Sequence, residues 1–156
     1  MAKLYVTCGI AGSGKTKVML NLIDTDEEDT LVSMDEIRST VYKDRKDQSH
    51  NKEVFDLAMA KIEMFGAMGM TTYYDATNIK SKGRKELIAR FRKYFDEIIC
   101  LWVSTPVEKC KIQDARRKPW GDVGEAVIDR MASQFEEPTL DEGWDNIIKI
   151  ENTYKI

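Results

Sequence analysis

Residues 3–16 read KLYVTC-GIAGSGKT, and the fold of the whole chain hangs on this stretch. Leu4, Tyr5 and Val6 are the apolar, aromatic and β-branched types that make a buried strand. Gly9 to Thr16 then fits G-x4-G-K-[ST], and KTKVMLNLI opens a helix with Val18, Met19, Leu22 and Ile23 on one face. The setting is strand, Gly-rich turn, helix. Gly12 and Gly14 let the backbone curl so that successive N–H groups point inward at phosphate oxygens. The helix N-terminus adds its positive end. Lys15 reaches the β- and γ-phosphates as a point charge, and the Thr16 hydroxyl suits Mg²⁺, a hard cation that prefers oxygen. Gly9, Ala11, Gly12, Ser13, Gly14, Lys15, Thr16 and Lys17 are therefore the candidate cradle for ATP and Mg²⁺.

Outward from this loop, strands and helices alternate. TLVSM at 30–34 is a second strand and DEIRSTVY a short helix. Residues from about 51 to 68 form a longer helix, with Val54, Leu57, Ala58, Ile62 and Phe65 at helical spacing. Met59, Met64, Met68 and Met70 read as core packing. MTTYY at 70–74 is a third strand ending at Asp75. Ser81 can cap a helix running to about Tyr94. IICLWV at 98–103 is a fourth strand. Thr105-Pro106-Val107-Glu108 reads as a capping box with Pro at the first helical position, starting a helix toward Arg117. EAVIDRMASQF follows a break at Pro119 and Gly121, and NIIKI at 146–150 is a last strand. The alternation predicts an α/β domain over 1–156, a parallel sheet with helices on both faces.

Bulk numbers narrow the function. With 156 residues the chain suits one domain with one core, and its net charge of −3 disfavours a protein that coats long nucleic acid. No stretch approaches the ~18–20 apolar residues of a membrane span, and no leader is visible. Cys8, Cys100 and Cys110 lack metal-ligand spacing, and an odd count points to reduced thiols in a cytoplasm. The acidic run DTDEED at 24–29 reads as a solvated loop.

In a parallel sheet, ligand-facing residues lie just beyond the C-terminal ends of strands. The Gly-rich loop, Asp35 and Asp75 occupy such places after strands 1, 2 and 3, so they should line one crevice. Asp35 can accept the proton of an attacking hydroxyl and aim it at a γ-phosphate. Alternatively it only caps its helix. Arg38, one turn on, projects from the same side and can neutralise a reacting phosphate or hold an acceptor phosphate, unless it is a plain surface residue. Asp75 is placed to join the Mg²⁺ shell through water, or to pair with Arg38, and Asn78 to hold the turn. KCKIQDARRK at 109–118 makes a basic lid, about 109–124. It could close over the nucleotide with Arg116 and bring Arg117 to the transition state. The helix dipole accounts for Lys109, Lys111 and Lys118 as solvated charges.

The order GIAGSGKT, SMDEIR, YDATNIK, then a lid followed by VGEAVIDRM, resembles the P-loop kinases related to phage polynucleotide 5′-kinase over nearly the whole chain. The resemblance implies a five-stranded parallel sheet of order 2-3-1-4-5. It implies Asp35 as general base and Arg38 on the reacting phosphates, and Asp75-Ala76-Thr77-Asn78 matches the strand-3 motif Asp-x-Thr-Asn. The lid pattern Arg-Asn-x-x-Arg survives only in part. Gln113 and Asp114 replace its first Arg and its Asn, Arg117 keeps its last, and Gly124 stands where Pro is common.

The expected activity is ATP-dependent phosphorylation of a hydroxyl, with a nucleic acid 5′-OH end as acceptor. The wider family leaves a small-molecule or seryl-tRNA kinase open, and a nucleotide-binding regulatory module is the reading from another class. No phosphatase motif D-x-D-G-T is present. EEPTLDEGWDN at 136–146 looks family-like without an evident role, and Trp144 is expected to pack in the core. Oligomeric state is not legible.

Overall fold

The computed structural model describes residues 2–23, 30–44, 49–117 and 123–151. The acidic run 24–29, Lys118 and the break around Pro119 lie outside them. Five parallel strands form one sheet: β1 (Lys3–Cys8), β2 (Leu31–Ser33), β3 (Thr72–Asp75), β4 (Glu97–Ser104) and β5 (Asn146–Glu151), in the order β2-β3-β1-β4-β5. The helices are α1 (Lys15–Leu22), α2 (Met34–Tyr42), α3 (Asn51–Ala67), α4 (Ser81–Phe91), α5 (Val107–Ala115) and α6 (Glu125–Gln134), with a 3-10 turn at Leu140–Glu142.

Strand periodicity of two sorts the core. Leu4, Val6 and Cys8 of β1, with Val32, Tyr74, Ile98 and Cys100, pack against Val54, Ala58, Met59 and Ile62 of α3 and Leu87, Ile88 and Phe91 of α4. The alternate residues Tyr73, Ile99 and Leu101 meet Met19 of α1 on the other face. Each fully buried aliphatic of this kind contributes about 1.5–3 kcal/mol. A third cluster, Ile10, Ala11, Cys110 and Ile128, fixes α5 and α6 against the Gly-rich loop.

Several local expectations need correction. Met59 is the core methionine of α3, whereas Met64 and Met68 are exposed at 51% and 64%. Leu22 and Leu57 are also exposed, because the buried stripe on each helix is narrower than their spacing implied. Ser81 does not cap α4 with its side chain. It is the first helical residue, and its N–H donates to Glu136 Oε1 at 3.3 Å. The Thr105–Glu108 capping box does not form: Pro106 is the N-cap of α5, without a side-chain cap. Thr105 instead donates its hydroxyl to the Ser13 carbonyl at 2.7 Å, tying β4 to the loop. Lys111 is an ion-pair partner rather than a solvated charge, 3.0 Å from Asp129 and 3.6 Å from Glu108.

The 136–146 segment has a structural role. Arg84 of α4 is fully buried and meets Glu142 in a two-pronged pair, Nε to Oε1 at 2.9 Å and Nη2 to Oε2 at 2.8 Å. The indole N–H of Trp144 donates to Glu142 Oε1 at 2.9 Å, and the ring packs in the main core. Burial alone would raise the Glu142 pKa, but the hydrogen bonds from Arg84, Ser81 and Trp144 outweigh it and bring it down to about 2. A carboxyl depressed in the folded state contributes stability that is full above its unfolded pKa of ~4.3 and is lost as pH falls toward 2. Glu142→Gln leaves the Arg84 charge buried and uncompensated, so thermal or urea unfolding should report a loss of about 3–5 kcal/mol. The acid transition should also flatten. An unfolding curve superimposable on wild type would show that Arg84 needs no counter-charge.

Candidate active site

The sheet register brings the sequence-nominated side chains to one edge. Val6 pairs with Tyr74, Val32 with Tyr74, and Ser33 with Asp75, so β1, β2 and β3 end together. Beyond them lies a cavity of about 390 Å³ whose lining includes Ala11, Lys15, Thr16, Asp35, Arg38, Asp75 and Arg117.

The Gly-rich loop is held from behind. Gly9 N–H donates to the Thr77 carbonyl at 2.9 Å, and Asn78 Nδ2 donates to the Thr7 carbonyl at 2.9 Å. Gly12 and Gly14 take φ of 79° and 95°. At Gly12 a Cβ would collide with the Cys110 carbonyl oxygen, so both the left-handed backbone and the contact with α5 require glycine. Lys15 Nζ donates to the Ile10 carbonyl at 3.0 Å. Burial lowers the Lys15 pKa, and Asp75 and Asp35 oppose that shift. Lys17 lies exposed on the first turn of α1.

Thr16 donates to Asp75 Oδ2 at 2.7 Å. Thr7 Oγ1 lies 3.4 Å from Asp75 Oδ1, donates to the Ala76 carbonyl at 2.7 Å and accepts from Ala76 N–H at 2.9 Å. Two oxygen groups thus stand together at the loop. Among the described residues no group of three or more His, Cys, Asp or Glu could cage a metal. That donor set fits Mg²⁺, which takes one or two protein oxygens and completes its shell with phosphate and water.

Asp35 is not the cap of α2. Ser33 is, its hydroxyl accepting from Glu36 N–H at 3.3 Å. This leaves the Asp35 carboxylate for the cavity. Its Oδ1 accepts from Arg38 Nη1 at 3.1 Å, and its Oδ2 lies 3.5 Å from Arg117 Nη2. Arg38 is buried, contrary to a plain surface role; Nη2 donates to Asn51 Oδ1 at 2.9 Å. Its Nε has no partner among the described residues. Arg116, by contrast, is exposed and does not line the cavity.

Asp114 ties the last turn of α5 to the residues that lead into α6. This buried carboxylate accepts Val123 N–H at 3.0 and 3.2 Å and Gly124 N–H at 2.9 Å. Where the resemblance puts Asn, an acid thus holds backbone.

The sequence does not point to Asn51 or Thr7, and it points to Thr105 only as part of a helix cap and to Asp114 only as a departure from the lid pattern. Thr105 follows the C-terminal end of β4, where the strand-end rule could have found it. Asn51 meets Arg38 across an intervening segment that carries no spacing signal.

A parallel sheet of this order, with a phosphate-binding loop between β1 and α1, defines a P-loop kinase-type fold. The chain belongs to the AAA_33 family, an AAA domain, whose model matches residues 4–138. Among curated proteins none matches. A candidate kinase from Chloroflexus aurantiacus J-10-fl superposes with TM-score 0.77 at 14% identity, over 98% of this chain and 86% of that one. The Pnkp1/Rnl/Hen1 RNA repair complex gives 0.72 at 21% identity, over 85% of this chain and 43% of the matched chain. The Mycobacterium tuberculosis APS kinase CysC, in complex with AMPPNP and APS, gives 0.66 at 15% identity, over 99% and 90%. At these identities the likeness is one of fold. No described helix is long and apolar enough to cross a membrane.

Proposed function

We propose that this protein is an ATP-dependent phosphotransferase that moves the γ-phosphate to a hydroxyl, with the 5′-OH end of a polynucleotide as acceptor. The observation that carries the reading is the Asp35 carboxylate, free of capping duty and set between Arg38 and Arg117 in the cavity of Lys15 and Thr16. In this reading Asp35 takes the proton of the acceptor hydroxyl and aims its oxygen at the γ-phosphorus. Lys15 and Arg117 stabilise charge on the transferring group. Thr16 would hold Mg²⁺ directly and Asp75 through water, and the ion would supply neutralisation of the phosphate charge.

The polynucleotide acceptor is supported by Arg38. Its guanidinium lines the cavity beside Asp35, and a planar bidentate donor there would hold an acceptor phosphate next to the terminal nucleoside. The overall acidity argues against a long electrostatic track, so only one or two phosphates should be held. A 5′-OH oligonucleotide and a nucleoside 3′-monophosphate should both be phosphorylated far better than the free nucleoside. Affinity should fall with salt at a log–log slope of only about 1–2. Comparing kcat/KM for the three acceptors at two salt concentrations tests this. Equal use of the nucleoside would remove the phosphate contact. Exclusive use of a small alcohol would favour the second reading, a small-molecule kinase, which the modest cavity volume also admits.

Arg117 faces Asp35 and Arg116 does not. Arg117→Ala should therefore lower kcat more than Arg116→Ala, whose effect should fall on ATP binding if anywhere. Equal small effects in steady-state kinetics would make both solvated charges.

A further inference from the structure

A second cavity, about 340 Å³, lies between α3 and the start of α4. It shares Phe55, Thr77 and Asn78 with the cavity that holds Asp35 and Arg38, so the two are contiguous at those residues. Buried Met59 and Leu87 also line it, along with the side chains of Lys80, Glu86 and Arg90. Both volumes are of the size of small-ligand sites, about 300–1,000 Å³.

Phe55 stands at the junction. It is 44% exposed, and its ring has no aromatic or cationic partner among the described residues. Tyr42, also at the α2–α3 side, is already stacked on His50 at 4.0 Å. An exposed ring with apolar neighbours at the mouth of a polar cavity is a surface on which a base can stack, with no preference among bases. Lys80 is an exposed cation without a partner among the described residues, and Arg90 is engaged by Glu63 at 2.6 Å. One face for a base and one cation for a phosphate match a single nucleotide of a strand.

We propose that this α3–α4 groove is a second acceptor subsite, taking the nucleotide next to the reacting 5′-OH end. Phe55 stacks that nucleotide's base and so favours an acceptor that carries a second base, whichever base it is. The inference rests on the polynucleotide reading of the first cavity and adds to it a preference for length and for a base at the second position. The strand then runs from Asp35 past Phe55 toward Lys80, away from the Gly-rich loop.

The test uses the whole chain and two 5′-OH dinucleotides that share the same phosphodiester. One has an intact second nucleoside and the other an abasic second residue. The wild-type protein should prefer the intact acceptor in kcat/KM by about 5- to 150-fold, the range of one base–aromatic stack. In Phe55→Ala that ratio should fall toward one, and Phe55→Trp should restore it. A merely structural Phe55 would change both acceptors together and leave the ratio intact. A wild-type ratio near one, or a ratio kept in Phe55→Ala, overturns the subsite while the 5′-kinase reading stands. If neither dinucleotide is labelled, the polynucleotide acceptor fails and the subsite fails with it. Lys80→Glu serves as a second variant that keeps Phe55. It should weaken the dinucleotide ending in a 3′-phosphate more than the one ending in a 3′-OH, and no difference between them removes the cation from the subsite.

Discussion

A folded Lys15→Ala protein is expected to lose phosphate transfer by at least about 10²–10³-fold, the size of removing one preorganised charge-stabilising donor. Lys15 belongs to the Gly-rich motif and lines the cavity, its Nζ donating to the Ile10 carbonyl. Burial presses its pKa down, and the facing carboxylates Asp75 and Asp35 oppose this. Ala is the best helix former, so α1 should keep its first turn. The thermal midpoint should therefore stay close to wild type while transfer disappears. Lys15→Arg should not rescue, since a planar fork cannot occupy the place of a compact ammonium. Near-normal transfer by a folded Lys15→Ala protein would show that the loop does not hold the reacting phosphates.

Asp35→Asn should lower kcat by about 10²–10⁴-fold with ATP affinity almost unchanged. The amide keeps the shape of the carboxylate and loses its ability to take a proton. The loop N–H groups and Lys15 are untouched, so nucleotide binding persists. Arg38 keeps its hydrogen bond to Asn51, so its position should survive the change. Rapid-quench transfer alongside equilibrium ATP binding separates the two effects. A loss under about threefold is too small for a general base and would leave Asp35 as a counter-charge for Arg38 and Arg117.

The nucleotide end was legible because its signal is local. Eight consecutive residues after a β-rich run carry the loop, and their geometry follows from glycine at 12 and 14. The strand order followed from the family resemblance, and alternating elements alone would have left it open. Asp35 and Asp75 could be placed at one edge by the strand-end rule. Whether Asp35 was merely a cap depended on which residue took that duty, and Ser33 two positions earlier settles it. What pattern reading could not reach were pairings between distant segments. Arg84 and Glu142 are 58 positions apart, and nothing local to either residue names its partner. Thr105 was assigned to its own helix, where local capping competes with a carbonyl 92 positions away. Met64 and Met68 are apolar yet exposed, because Val54, Ala58, Met59 and Ile62 already fill the buried face of α3.

Transfer to a hydroxyl rather than to water can be read by following the label of [γ-³²P]ATP in a single turnover with a 5′-OH oligonucleotide. Label is expected on the oligonucleotide 5′ end, in wild type and not in Asp35→Asn, with little free phosphate. Release of labelled phosphate at the same rate with and without any hydroxyl acceptor, and no labelled product, would contradict it.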